Sequence, residues 1–263
     1  EWAGQPLDIA RRRVRALLYR LAAAEGPVSR EHLCYLLWPD VPEATARRSL
    51  TGVLAQLRRS LPEPACLATA EDHVTLLADR VWTDVMAFGR LCHSGAANSS
   101  VSELSAAVDL YRGPFLDGFS LPECREFEEW ALLERYTLEQ RYLRVLANLV
   151  QELAARGEHA AAIDHARRYL STDELAEDMH RQLIDLYVQT GDRSAALRQY
   201  ENCALILERE LGVSPLPETQ ATYQAARLAQ PTLRLPQPAI PAWTTLPSLD
   251  VALVGRERAL LQL

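Results

Sequence analysis

The stretch that decides the fold is EATARRSLTGVLAQLRRSL, which runs from Glu43 to Leu61. It contains a stripe of apolar residues at helical spacing, namely Leu50, Val53, Leu54, Leu57 and Leu61. At about 100° per residue, the opposite side consists of Arg48, Thr51, Gly52, Ala55, Gln56 and Arg59. The pattern predicts a helix over residues 43–61 that buries its leucines. A glycine inside a helix costs about 1 kcal/mol relative to alanine, so Gly52 on the exposed side needs a reason.

The exposed side of this helix has the composition of a surface that contacts duplex DNA. No acidic residue occurs between residues 44 and 61, and basic charge of one sign is the electrostatic pattern expected of such a surface. We expect Gly52 and Ala55 to let the backbone approach a major groove closely. The predicted base-reading residues are Arg48, Thr51, Gln56 and Arg59, and the predicted phosphate contacts are Arg47 and Arg58. The alternative is that the two small residues pack against the next domain.

The sequence before residue 43 supplies two more helices. Apolar spacing over residues 9–24 predicts the first of them. Ser29 offers a hydroxyl that can cap the second, which ends at Pro39-Asp40. Three helices with a tight turn before the last one form the helix-turn-helix plan, in which the helix at 43–61 is the recognition helix in the major groove.

A short hairpin is predicted directly after the third helix. Residues 66–69 and 73–77 alternate in polarity like two strands, which is typical of the wing of a winged helix. The tip between them carries Glu71 and Asp72, whose charges would repel phosphates. We therefore expect no strong contact from the wing unless His73 or Arg80 compensates.

Beyond residue 83 the sequence repeats with a period of 34 residues. The segment GEHAAAI at 157–163 aligns with GDRSAAL at 191–197. This is the period of the tetratricopeptide repeat, a helix pair in which a glycine turns the corner and small residues allow close packing. Further helices are predicted at 85–92, 101–111 and 123–155. The predicted fold is therefore mainly α, with a winged helix-turn-helix and its short β-hairpin wing followed by an all-α tetratricopeptide-like domain.

Charge separates the same two blocks. The chain has a formal net charge of −7, and all 28 of its basic residues are arginines. Residues 1–83 hold 11 arginines and 10 acids, whereas residues 84–230 hold 14 arginines and 23 acids. The acidity thus belongs to the second block and does not argue against DNA binding by the first. The first predicted helix adds to the expected basic surface with Arg11, Arg12, Arg13, Arg15 and Arg20.

Several functional classes find no support in the sequence. Five widely spaced cysteines and six scattered histidines predict no metal site. Neither a G-x-S-x-G nucleophile motif nor a GxxxxGK[ST] phosphate loop occurs, which disfavours an enzyme. No apolar stretch reaches the length of a membrane span, and unpaired cysteines are typical of the cytoplasm. We expect a cytoplasmic protein without a metal, a cofactor or a membrane partner.

Taken together, these features resemble one family, the SARP-type antibiotic regulatory proteins. In that family an OmpR-like winged helix precedes a bacterial transcriptional activator domain of tetratricopeptide type. The resemblance rests on LWPD at 37–40, ARRSL at 46–50, LRRSL at 57–61, WTDV at 82–85, YRG at 111–113, GDR at 191–193 and ELGVSP at 210–215. It implies a transcriptional activator whose winged helix reads direct repeats in promoter DNA, and whose repeat domain supports homodimer and RNA polymerase contacts. The alternative is a protein-interaction scaffold in which the winged helix is a docking surface.

These observations predict four segments. A winged-helix domain covers residues 1–83 and an activator domain covers residues 84–229. Five prolines mark residues 230–250 as a semi-rigid linker. Residues 251–263 contain LVGRER, which resembles the opening of a STAND-type ATPase module. We therefore expect the chain to be the N-terminal part of a larger regulator.

Overall fold

The computed structural model describes residues 7–93 and 100–228 of the chain. Its first three helices are α1, Arg12–Ala22, α2, Arg30–Leu37, and α3, Glu43–Ser60. Ser29 caps α2 as predicted, because its hydroxyl accepts a hydrogen bond from the backbone N–H of His32. Pro42 stands directly before α3, where its fixed φ suits the entry to a helix.

A small antiparallel sheet accompanies these helices. Its strands are β1, Val28–Ser29, β2, Leu67–Thr69, and β3, His73–Leu76, in the order β1-β3-β2. Strands β2 and β3 are the predicted hairpin, and Leu67 lies opposite Leu76. Strand β1, in which Val28 pairs with Val74, was not predicted, because two residues are too few to show alternation. The sheet therefore ties the wing to the segment between α1 and α2.

The second block consists of helices and loops over its described residues. Its helices are α4, Asp84–His93, α5, Val101–Leu110, α6, Arg125–Ala155, α7, His159–Thr172, α8, Glu177–Gln189, α9, Arg193–Leu211, and α10, Pro217–Leu228. Gly157 turns the corner between α6 and α7, and Gly191 turns it between α8 and α9. Both glycines have a left-handed backbone, with φ of 76° and 80°. The 34-residue period thus corresponds to two helix pairs, which confirms the predicted tetratricopeptide-like fold.

Two hydrophobic cores hold the described residues together. The leucine stripe of α3 lies in the first core as predicted, with Leu50 and Leu57 fully buried. This core also takes in Leu121 and Phe127, from the loop before α6 and its first turn. The second core joins α4 to α10 through the helix pairs. The start of α6 is therefore packed into the winged helix, so the two blocks share buried surface beyond their junction.

Some predictions fall outside the described residues. The linker at 230–250 and the ATPase-like segment at 251–263 both lie there. Within residues 7–93 and 100–228, no helix combines the length and the apolar character that a membrane crossing requires. In the same residues, no group of three histidine, cysteine, aspartate or glutamate side chains is placed to hold a metal ion.

Candidate nucleic-acid interface

The outer side of α3 is open to solvent around Gly52. An alanine Cβ placed on Gly52 would have no atom within 4 Å apart from its chain neighbours and the nearby backbone of α3 itself. Arg48, Thr51 and Ala55 beside it are exposed as well. No described part of the chain packs against this patch, so the alternative that Gly52 serves a contact between domains is not what the structure shows. No contact within the described chain therefore explains why this helix contains a glycine.

Three arginines on α3 point outward. Arg48 makes no side-chain hydrogen bond or ion pair with any described residue, which leaves its guanidinium available. Arg59 donates from Nε to the carbonyl oxygen of Ala55 on the same helix, at 3.3 Å. Arg47 forms an ion pair with Glu43, with an Nη2–Oε1 distance of 2.7 Å, in which both side chains are more than half exposed. Such exposed pairs contribute little to stability, so a phosphate could replace the carboxylate.

Three further predicted contact residues make hydrogen bonds within the protein. Arg58 donates from Nη2 to the carbonyl oxygen of Leu67 and to the hydroxyl of Thr69, both at 3.1 Å. It thereby fastens α3 to strand β2 of the wing. The side-chain oxygen of Gln56, which is half-buried, accepts a hydrogen bond from Arg11 at 3.1 Å. The hydroxyl of Thr51 donates to the carbonyl oxygen of Arg47 on its own helix.

The wing tip is held close to the start of α2. The backbone N–H of Arg30 donates to the carbonyl oxygen of Asp72 at 2.7 Å, and its Nε donates to the carbonyl oxygen of Ala70 at 3.2 Å. The side chains of Glu71 and Asp72 remain exposed. Arg80 is paired with Glu63 at 2.6 Å, so its charge is already matched within the protein. In the free chain Arg80 therefore balances Glu63 and not the acidic tip.

The arginines of α1 are placed differently from our expectation. We interpreted all five as part of one basic surface, and this was wrong for three of them. Those three lie over aromatic rings, with guanidinium-to-centroid distances of 5.8 Å for Arg13 on Trp38, 5.4 Å for Arg15 on Phe119 and 5.2 Å for Arg20 on Trp130. Burial lowers the pKa of Arg20, while the nearby Glu134 carboxylate raises it.

Two of these rings belong to the second block. Phe119 lies in the loop before α6, and Trp130 lies on α6 itself. The Nε atoms of all three arginines are buried and have no hydrogen-bond partner, as expected of groups that are held by stacking. Sequence spacing on α1 could not show this, because Phe119 and Trp130 are about a hundred residues away along the chain. Arg15 and Arg20 therefore join the winged helix to the activator domain.

Comparisons with known proteins agree with this architecture. The family model of the bacterial transcriptional activator domain matches residues 81–227. The transcriptional regulatory protein MoaR1 of Mycobacterium tuberculosis is 26% identical over 234 residues, which cover 84% of this chain and 73% of MoaR1. The regulatory protein AfsR of Streptomyces coelicolor is 26% identical over 88% of this chain, although the match covers only 23% of AfsR.

A solved structure shows the same fold across both blocks. The structure of M. tuberculosis EmbR in complex with a low-affinity phosphopeptide has a TM-score of 0.63 and 26% identity to this chain. The match covers 87% of this chain and 62% of that one. The matching family model and these relatives, all named as regulators, confirm the resemblance drawn from the sequence motifs. The chain therefore belongs to the SARP-type transcriptional regulators that carry a bacterial transcriptional activator domain.

Proposed function

We propose that this chain activates transcription by binding duplex DNA through the outer side of α3. The observation that supports it best is the open surface around Gly52, where no contact in the described structure requires a glycine. A helix that enters a major groove gains from a small residue there, because its backbone can approach the bases closely. The stability that the glycine costs would then be offset by DNA contacts rather than by contacts within the protein.

In this proposal the outward arginines divide the recognition task. Arg48 and Arg59 stand on either side of Gly52 along α3 and can reach guanine edges, where a good bidentate pair discriminates against a wrong base by about 1–3 kcal/mol. Arg47 exchanges its exposed pairing with Glu43 for a phosphate. Thr51 and Ala55 lie between them and offer small contacts to the bases. Gln56 bonds to Arg11 of α1 and Arg58 bonds to the wing, and both are also proposed to contact DNA.

The second block would carry the remaining functions of an activator. Its 14 arginines against 23 acids give it a net charge of −9, which keeps it off the duplex and leaves α3 as the attractive face. We propose that it supports contacts to a second copy of the chain on a direct repeat and to RNA polymerase. The family resemblance is the support for these two partners.

A mobility-shift titration with DNA from upstream of the chain's own coding region tests the proposal. Affinity should fall with salt at a log–log slope of about −0.9 per neutralised phosphate. Replacing Arg48 by alanine should relax the sequence preference, whereas Arg47→Ala should weaken binding to all sequences alike. Absence of salt-dependent binding to any promoter fragment would favour the scaffold alternative, in which the winged helix docks on another protein.

The chain offers a matched control for these variants. Arg90 on α4 is exposed and donates from Nε to the carbonyl oxygen of Met86 at 3.3 Å, the same local bond that Arg59 makes to Ala55. Arg59→Ala and Arg90→Ala therefore remove the same charge and the same type of hydrogen bond. Only the Arg59 variant should lose affinity for DNA. Equal losses in both would show that net charge alone, and not the α3 surface, governs binding.

A further inference from the structure

A pocket opens between the end of α1 and the activator helices, and no residue of α3 lines it. It has a volume of about 420 Å³. Its walls include Tyr19 and Ala23 at the end of α1, Phe88 on α4, and the loop that follows α5, with Tyr111, Phe115 and Leu116. Pockets that hold small molecules commonly fall in this size range, have apolar and aromatic walls, and lie between domains.

Three aromatic side chains that line this pocket pack against rings that do not line it. Tyr111 stacks on Tyr142 with a centroid distance of 4.1 Å. Phe115 meets Trp130 edge-on at 5.7 Å, and Tyr19 meets Phe119 edge-on at 4.9 Å. Because each ring is already held by a partner, the walls are preorganised and a ligand need not order them. Such rings favour a flat aromatic ligand, which they can meet by stacked or edge-on contacts.

The loop wall carries the one residue with strained backbone among the non-glycine residues that the structure describes. Leu116 has a left-handed φ of 53°, which is unfavourable for a leucine. The loop keeps this shape because Arg135 donates from Nε to the carbonyl oxygen of Phe115 at 3.0 Å, and the N–H of Phe119 donates to the carbonyl oxygen of Leu116 at 3.1 Å. Strain of this kind is found at ligand-binding loops.

The polar groups of the pocket indicate the charge of the ligand. The hydroxyl of Thr83 is already used, because it donates to the carbonyl oxygen of Ala22 at 3.2 Å and accepts from the N–H of Met86 at 3.1 Å. The exposed lining residues Asp84, Asp117 and Arg112 carry a net charge of −1. A carboxylate accepts hydrogen bonds and attracts positive charge. An anionic ligand is therefore disfavoured.

We propose that this pocket binds a planar aromatic small molecule that is neutral or cationic and carries a hydrogen-bond donor at its edge. Since its walls come from both α1 and the activator domain, such a ligand stabilises the docking of these two parts. If the proposed DNA binding holds, the ligand also changes the affinity of the chain for its promoter, and DNA changes the affinity for the ligand by the same factor. Only this second step rests on the proposed function.

N-phenyl-1-naphthylamine is a suitable probe, because it is neutral, aromatic, carries one N–H group and fluoresces more strongly in apolar surroundings. The titration uses the full chain without DNA, so its result does not depend on the proposed function. The chain contains two methionines, which report the location of the probe in a methionine-methyl NMR spectrum. Met86 lies on α4 between the lining residues Val85 and Phe88, whereas Met179 is buried on α8 in the second core. We expect saturable binding of one probe per chain and a shift of the Met86 resonance alone.

A variant that fills the pocket provides the second arm. Ala23→Phe places a ring into the volume, and we expect it to weaken probe binding at least tenfold. The control is Ala225→Phe on α10, which adds the same ring at an exposed position outside the pocket lining and should bind as the unaltered chain does. Unsaturable binding, an equal shift of Met179, or unchanged affinity in a folded Ala23→Phe chain would overturn the proposal. If that variant does not fold, the methionine shifts of the unaltered chain decide.

Discussion

Replacing Gly52 by alanine should stabilise the protein, although most substitutions destabilise one. Beyond its chain neighbours and the nearby backbone of α3, the added methyl group would meet no atom within 4 Å, and the position is helical, so neither a clash nor strain opposes the change. Alanine is favoured over glycine inside a helix by about 0.8–1.0 kcal/mol. For a chain of this size, that gain corresponds to a rise in melting temperature of about 2–4 °C. Calorimetry and urea unfolding of the two proteins measure it directly.

The matched control is Gly89→Ala on α4. There the new Cβ would lie 3.6 Å from Oε1 of Glu25, an ordinary contact with a flexible side chain. Both variants should therefore gain stability, and Gly89→Ala, which lies outside α3, should leave DNA binding unchanged. A larger residue at Gly52 tests the groove contact. Gly52 is exposed, as are Thr51 and Ala55, so Gly52→Leu should fold, yet its larger side chain would separate α3 from a groove. We expect the promoter affinity of Gly52→Leu to fall at least tenfold and that of Gly89→Ala to stay unchanged.

Two results would refute this reasoning at different steps. A Gly52→Ala protein that is less stable than the original would mean that the position is packed or strained in solution. A stable Gly52→Leu protein that binds promoter DNA with unchanged affinity would mean that this side of α3 does not enter the groove. The first result concerns the fold and the second concerns the proposed function, so the two are separable.

Three further predictions concern contacts that the structure describes. In urea unfolding, Arg58→Ala should lower the free energy of unfolding by about 1 kcal/mol, because it removes two hydrogen bonds to the wing. Arg48→Ala should stay within about 0.5 kcal/mol of the unaltered chain, and equal effects of the two variants would contradict this distinction. Trp130→Ala should lower the free energy of unfolding by on the order of 2 kcal/mol, because the ring contacts Phe115, Phe127 and Arg20 but is only half-buried. A loss below about 0.5 kcal/mol in the same assay would show that this ring does not hold the domains together. Stability should fall as pH drops below about 6.5, since burial lowers the pKa of His180 and the unfolded chain then binds a proton that the folded chain does not. The melting temperature of His180→Asn should depend less steeply on pH, and an identical slope would exclude this histidine as the source.

The sequence predicted the parts of this fold that depend on local spacing. The leucine stripe of α3, the hairpin around residues 70–72 and the glycines at 157 and 191 each reflect a period that a single element or repeat imposes. Strand β1 escaped prediction, because it exists only through its pairing with β3. The outward face of α3 was also predictable, since helical projection fixes it once the buried side is known. The contact of Arg58 with the wing was not, because the hairpin must first fold back along the helix.

The arginines of α1 show most clearly why composition alone overestimates a DNA-binding surface. A guanidinium can pair with a phosphate, but its flat and weakly hydrated face stacks equally well on an aromatic ring. On α1 the ring partners Phe119 and Trp130 come from the activator domain, so the charges of Arg15 and Arg20 lie at the contact between domains. In the proposed complex with DNA, phosphate contacts would then come mainly from α3, with Arg11 and Arg12 as the exposed arginines near the start of α1. Since each neutralised phosphate adds about 0.9 to the salt slope, replacing Arg15 should leave the slope unchanged while replacing Arg47 should reduce it by about one.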